Sequence, residues 1–92
     1  MIVKIVDLCG DFAENKDIAR EIRESISPTF YKGQEKIILD FTGVDSSTQS
    51  FVHALISSFF HKKGEEALNI FEFKGCTKAV KSLITTVINY SL

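Results

Sequence analysis

Hydroxyl side chains are concentrated in one short segment of this chain, between an apolar run and a second, longer apolar stretch. The segment holds Asp45, Gln49 and four hydroxyl residues, which are Ser46, Ser47, Thr48 and Ser50. Free backbone N–H groups at the start of a helix attract anions, so hydroxyl residues placed there can bind a phosphate or carry one. The same residue types also cap helices without any further role. Residues 45–50 are therefore our candidate segment for binding a partner or an anion.

The spacing inside this segment separates two roles. Ser46 and Gln49 fit the capping-box pattern S-x-x-Q, so we expect Ser46 or Ser47 to cap a helix and to stabilise it by about 1 kcal/mol. Ser50 falls in the first helical turn or just beyond it, on the polar side, where capping needs no hydroxyl. A phosphate on Ser50 would add about −1.5 to −2 charges and could expel a partner without unfolding the protein. Ser50 is therefore the candidate phospho-acceptor.

The turn that precedes the segment contains the best-placed acid of the chain. Asp40 stands near the end of an apolar run, and Gly43 follows where a tight turn is expected. We expect the Asp40 carboxylate to accept hydrogen bonds from backbone N–H groups of this turn, in preference to acid–base chemistry. Asp40 and Gly43 are thus interpreted as structural residues of the turn.

No pattern typical of a catalytic or metal site appears. Cys9 follows an apolar run, but residues 9–15 contain one glycine, two carboxylates and no arginine, a composition that repels a phosphate. A catalytic cysteine would also need an adjacent base. His53 and His61 are eight residues apart, more than the i, i+4 spacing of a metal-binding pair. We predict no catalytic residues, no metal and no cofactor.

Composition and charge exclude several classes of function. The 92 residues have a formal net charge of −1 with scattered Lys and Arg, so a nucleic-acid-binding surface is not expected. No apolar run approaches the roughly 20 residues that span a bilayer, and Lys4 and Asp7 do not fit a secretory signal. Cys9 and Cys76 fit no disulfide framework. We expect a single cytoplasmic domain, residues 1–92, with reduced thiols and no membrane contact.

Hydrophobic periodicity predicts strands alternating with helices. The predicted strands are residues 2–8, 36–41 and 67–73. The predicted helices are residues 15–27, 48–62 and 77–90. The predicted fold class is α/β, a small β-α-β-α-β-α domain with a mainly parallel sheet packed by helices.

Local signals refine these elements. Asn15 is expected to cap the first helix and Pro28 to end it, because the residue before a proline avoids the α region. Residues 29–34 are then a loop, with room for a short extra strand. The continuous apolar run 36–41 predicts a strand covered on both faces. Helices lying on one side of the sheet would instead leave apolar surface for a partner.

The stretch from Ile37 to Phe51 resembles a known pattern. It reads I-I-L-D-F-T-G-V, followed by hydroxyl residues, S-F and an apolar helix. The STAS domains of anti-anti-sigma factors are similar, with a strand of the form V-L-D-L-S-G-V and then D-S-S-G-L at a helix start. The closer likeness is to a bacterial STAS-like family of unknown function, whose members read D-F-x-G-V, a hydroxyl-rich stretch and S-F. This resemblance implies a STAS-like fold.

The resemblance also implies a role. Alignment without gaps from Gly43 puts Ser50 at the serine that partner kinases phosphorylate in anti-anti-sigma factors. Thr48 then stands where those proteins have Asp, and Phe51 where they have Gly. The implied function is a non-catalytic regulatory module, an anti-anti-sigma-like partner switch that binds a histidine-kinase-type ATPase. The N-terminal strand pair of that family is replaced here by a strand and a helix.

Three other hypotheses stay open beside the partner switch. One is a small-anion or nucleotide-binding module that uses the same helix N-terminus. Another is an enzyme that uses Cys9 as nucleophile. The third is a homodimer formed through surplus apolar surface on the second or third predicted helix, which is compatible with the partner switch.

Overall fold

The chain forms three parallel strands and three long helices, joined by shorter elements. The computed structural model describes residues 1–92. In chain order the elements are β1 (Ile2–Lys4), α1 (Ile5–Cys9), β2 (Phe12–Ala13), α2 (Lys16–Lys32), β3 (Ile37–Asp40), β4 (Ser46–Ser47), α3 (Gln49–Lys63), α4 (Glu66–Ile70), β5 (Phe71–Lys74) and α5 (Lys78–Ser91). The predicted order of three strands alternating with three long helices is confirmed.

The main sheet has the order β1-β3-β5, and both strand pairs are parallel. The register places Lys4 beside Asp40 and Asp40 beside Lys74. The short strands β2 and β4 form a second, separate parallel pair. The predicted α/β class with a mainly parallel sheet is therefore confirmed.

The three long helices cover one face of the sheet. α3 lies between α2 and α5 and contacts both. Ile37 and Leu39 of β3 are fully buried, whereas Ile38 and Asp40, which point to the other face, are partly exposed. The prediction that this strand is covered on both faces is wrong. Successive right-handed crossovers along the order β1-β3-β5 place their helices on the same side.

Aromatic rings join the helices to the sheet. The ring centroid of Phe30 in α2 lies 4.5 Å from that of Phe59 in α3 and 5.5 Å from that of Phe71 in β5. Phe30 has no exposed surface, and Phe59 and Phe71 are also buried. Aromatic pairs at these separations add about 0.5–1.5 kcal/mol each to the free energy gained by burial.

α2 does not end at Pro28 as predicted but continues to Lys32. A proline inside a helix removes one backbone hydrogen bond and costs about 3 kcal/mol. Here the helix continues because Phe30, just beyond the proline, is buried against Phe59. Gly33, in the left-handed conformation, ends α2 and donates its N–H to the Thr29 and Phe30 carbonyls. The loop and extra strand predicted at 29–34 are therefore mostly helix.

Two predicted strands are shorter than expected because one-turn helices occupy part of each apolar run. β1 ends at Lys4, and Ile5–Cys9 forms α1, with Ile5 buried in the core. Glu66–Ile70 forms α4, which leads directly into β5. Short apolar runs do not distinguish a buried strand from a helical turn.

Gly75, in the turn after β5, lies close to Thr42, in the turn after β3, and a substitution of Gly75 tests this contact. A Cβ atom at Gly75 would overlap the Thr42 hydroxyl and lie 2.8 Å from the Thr42 nitrogen, and the Gly75 φ angle is +69°. We expect Gly75→Ala to lower the free energy of unfolding. A non-glycine residue in this backbone region costs about 1–3 kcal/mol, and the overlap with Thr42 adds to that cost. The free energy of unfolding in urea measures this loss.

Gly33→Ala is the matched control for this prediction. Gly33 has a φ angle of +64°, and an added Cβ would meet nothing within 4 Å. It therefore carries the backbone cost without the overlap. An equal loss of stability in the two variants would contradict the contact with Thr42.

Candidate functional site

The hydroxyl segment is held in place by the N-terminal part of the chain. Ser46 and Ser47 form β4, which pairs with Phe12 and Ala13 of β2. The Asp45 N–H donates to the Asp11 carbonyl at 2.8 Å. The sequence prediction missed this pairing, since a strand of two residues leaves no periodic pattern.

Thr48, not Ser46, caps α3. The Thr48 hydroxyl oxygen accepts a hydrogen bond from the Phe51 N–H at 3.1 Å, and the helix begins at Gln49. Ser46 lies in β4, two residues before the cap, and its N–H donates to the backbone carbonyl of Asp11. The Ser47 hydroxyl donates to the Ala13 carbonyl at 2.8 Å. The predicted capping box at Ser46 is wrong because pairing with β2 extends the segment and delays the helix.

This assignment predicts different effects for two similar substitutions. Thr48→Ala should lower the free energy of unfolding by about 1 kcal/mol through loss of the cap. Ser46→Ala should change it by less than about 0.5 kcal/mol, as expected for an exposed surface position. Urea denaturation of both variants, with Thr48→Ser as the conservative control, measures the difference. A larger loss of unfolding free energy in Ser46→Ala than in Thr48→Ala would contradict the cap at Thr48 and support a capping box at Ser46.

The candidate residues lie together at the N-terminus of α3. Asp45, Ser46, Gln49 and Ser50 are exposed, and Ser47 and Thr48 are partly buried. Ser50 is the second residue of α3, and because Thr48 supplies the cap, the Ser50 hydroxyl is free of that role. The N-terminus of α5 adjoins the segment, since the Thr77 hydroxyl donates to the Asp45 carbonyl at 3.3 Å.

A cationic groove of about 420 Å³ opens beside Ser50. It is lined by Lys16, Arg20, Arg23, Gln49, Ser50, His53, Ala54 and Tyr90, and no carboxylate is among them. Along the sequence the Lys and Arg residues look scattered, so this groove was not predicted. Lys16, Arg20 and Arg23 are spaced by four and then three residues, which places them on one face of a helix. This spacing is the sequence signal that could have predicted the cluster.

The groove forms because α2 and α3 run side by side in the same direction. The Arg23 guanidinium donates to the Ala54 carbonyl at 3.3 Å, and further along both helices Phe30 contacts Phe59. The first turns of the two helices therefore lie at the same end of the molecule. His53 forms part of the wall, and its Nδ1 lies 2.9 Å from the Tyr90 hydroxyl of α5.

Asp40 takes part in the turn after β3. Its carboxylate accepts a hydrogen bond from the Thr42 N–H at 2.9 Å. Hydrogen bonds from the Thr42 hydroxyl and N–H, together with the charges of Lys74 and Lys4, hold the pKa of Asp40 below its usual value. Gly43 follows with a φ angle of +88°, and an added Cβ there would lie 3.3 Å from Val6.

The lowered pKa of Asp40 predicts a pH dependence of stability. In the unfolded chain an aspartate has a pKa of about 3.9. The ionised carboxylate therefore stabilises the folded state at pH values above about 4, and this contribution is lost as the pH falls through the lower folded-state pKa. Asp40→Asn should be less stable than the wild type near pH 7, and the gap should narrow below about pH 4. Urea denaturation at several pH values measures the gap, and a gap independent of pH would contradict the prediction.

The residues considered for catalysis or metal binding do not form a site. Burial raises the pKa of the Cys9 and Cys76 thiols, which reduces the reactive thiolate at neutral pH. His61 is exposed, and His53 contacts Tyr90. No group of three or more His, Cys, Asp and Glu side chains is arranged to hold a metal ion. None of the helices is long and apolar enough to cross a membrane.

Comparison with known families gives one match. The model of a family described as a STAS-like domain of unknown function (DUF4325) matches residues 19–81. The matched part begins inside α2 and ends near the start of α5, so it includes β3, the hydroxyl segment, α3 and β5. No curated protein and no solved structure matches the chain.

Proposed function

Because the chain belongs to the family of STAS-like domains of unknown function, we propose that it is a non-catalytic regulatory module that binds a protein partner. The contact surface is the hydroxyl segment 45–50 at the start of α3. One observation carries this proposal. Ser50 is exposed in the first turn of α3, has no capping role, and is one of the residues that line the cationic groove.

The proposed partner is a histidine-kinase-type ATPase, as the resemblance to anti-anti-sigma factors implies. Such a kinase would transfer a phosphate to Ser50. The positive end of the helix dipole favours an anion at this position by about 0.3–1 kcal/mol. The added charge of about −1.5 to −2 would then alter the contact surface while the fold stays intact. Neither nucleic acid nor membrane is a proposed partner.

Ser50→Asp tests the partner switch. We expect the variant to lose the ATPase that the wild-type protein retains, because a carboxylate replaces a hydroxyl of the proposed contact surface. Its melting temperature should stay within a few degrees of the wild-type value, since an acid in the first turn suits the helix dipole. A pull-down from native lysate, read by mass spectrometry for bound proteins and for phosphate on Ser50, measures the outcome.

Ser58→Asp is the matched control. Ser58 is an exposed serine of the same helix, two turns beyond Ser50 and outside the groove lining. It should retain the same ATPase as the wild-type protein. Loss of the partner in both variants, or in neither, would contradict a specific role of Ser50. A large fall in the melting temperature of Ser50→Asp would show that Ser50 is structural.

A second candidate function is a small-anion or nucleotide-binding module at the same helix N-terminus. The observation that favours it is the cationic groove, whose lining contains three Lys or Arg side chains and no carboxylate. A ligand that binds only the folded protein would raise its melting temperature without any protein partner.

The other two hypotheses have less support. An enzyme that uses Cys9 would need a reactive thiolate, whereas burial raises the pKa of this thiol. A homodimer could use an apolar groove of about 390 Å³ between β5 and α5, which Phe73 and Ile88 help to line. Light scattering would measure the oligomeric state.

A further inference from the structure

The groove between α2 and α3 concentrates positive charge on a chain whose net charge is −1. Lys16, Arg20 and Arg23 contribute three cationic side chains from one face of α2. Like charges so close repel one another and destabilise the free protein by a few tenths of a kcal/mol for each neighbouring pair on a helix. An anion bound among them would remove this repulsion.

Most N–H donors of these three cationic side chains have no strong hydrogen-bond partner within the protein. Arg20 pairs with Asp17 at 3.0 Å, but both side chains are largely exposed and Asp17 lies outside the groove lining. Exposed pairs of this kind are weak and exchange readily for a better anion. Arg23 donates to the Ala54 carbonyl, which holds its guanidinium at the groove wall. Lys16 takes part in neither of the two ion pairs of the protein.

Neutral donors adjoin the cations at the start of α3. The Thr48 cap takes up the N–H of Phe51. The N–H groups of Gln49 and Ser50, the first two residues of the helix, have no helical acceptor and are available to an anion. Both residues line the groove.

From this arrangement we infer that the groove binds the dianionic group of a phosphate monoester. Guanidinium groups match phosphate oxygens with paired, charge-assisted hydrogen bonds, and a lysine adds a point charge. Three cations against a double negative charge leave a small positive excess, as expected of a site that selects dianions over single carboxylates. The inference deepens the second candidate function and does not depend on the partner switch.

The phosphate can come from two sources. One is a free monoester that diffuses into the groove. The other is a phosphate on Ser50 itself, an arm that does rest on the proposed partner switch. In that reaction the Ser50 oxygen forms a bond to the γ-phosphorus of a nucleoside triphosphate, and its proton passes to a basic side chain of the partner kinase. The bond from the γ-phosphorus to the bridging oxygen breaks, and the nucleoside diphosphate leaves.

Titration with inorganic phosphate and with free phosphoserine tests the groove. We expect saturable shifts of the amide NMR signals of Gln49, Ser50 and residues 16–23 in isotope-labelled protein. Arg20→Gln and Lys16→Gln should each raise the Kd by about tenfold, the loss of one charge-assisted contact. Lys62→Gln removes an exposed lysine outside the groove and should leave the Kd unchanged.

Three results would overturn the inference. They are shifts that do not saturate, an equal effect of Lys62→Gln and Arg20→Gln, and binding of a polyglutamate peptide without binding of phosphate. The last result would instead identify the groove as a contact for an acidic protein segment. None of these results bears on whether an ATPase is retained in the pull-down, so the two proposals fail independently.

Protein phosphorylated at Ser50 distinguishes the two sources. If its own phosphate occupies the groove, added inorganic phosphate should no longer shift the amide signals. The second pKa of the phosphoserine, read by phosphorus NMR, should then lie below its ordinary value of about 6 and rise again in Arg20→Gln. An unshifted pKa together with undiminished binding of inorganic phosphate would identify the free monoester as the ligand. Either outcome supports the groove as a phosphate site.

Discussion

The Phe30 ring packs against Phe59 and Phe71, and this aromatic contact aligns two of the long helices with the sheet. It joins α2, α3 and β5 through centroid distances of 4.5–5.5 Å. It also explains why α2 continues through Pro28, since ending the helix there would remove Phe30 from the core. Once the C-terminal halves of α2 and α3 are fixed in this way, their N-terminal turns must lie side by side. The cationic groove is a consequence of that alignment.

The surface at the start of α3 is preformed. β4 pairs with β2, the Thr48 hydroxyl caps α3, and the Thr77 hydroxyl donates a hydrogen bond to the Asp45 carbonyl. Two of these contacts come from distant parts of the chain, β2 and Thr77, and together with the cap they hold the backbone of the segment. A surface whose backbone is already ordered pays little conformational entropy when it binds. This suits both the proposed contact with an ATPase and the proposed binding of phosphate.

The charge distribution changes the expected effect of a phosphate at Ser50. On the sequence alone, the phosphate adds negative charge to a neutral surface and repels a partner. In the structure, Lys16, Arg20 and Arg23 line the same groove as Ser50. A phosphate held there would be largely neutralised by the cations of α2, so the proposed switch would act by covering these cations as much as by adding an anion. Net charge does not reveal this, because it averages over the whole surface.

Three features were predictable from the amino-acid sequence. They are the alternation of strands and helices, the N-cap at Asn15 and the STAS-like resemblance of residues 37–51, which the family match over residues 19–81 confirms. These depend on periodicity and local hydrogen bonding, which neighbouring residues decide. Only the folded chain shows that α2 continues through Pro28, that Thr48 caps α3 and that the long helices cover one face of the sheet. The groove, too, exists only in the folded chain, since α2, α3 and α5 all contribute residues to it. Each of these depends on contacts between residues distant in sequence, whose energies outweigh the local preferences.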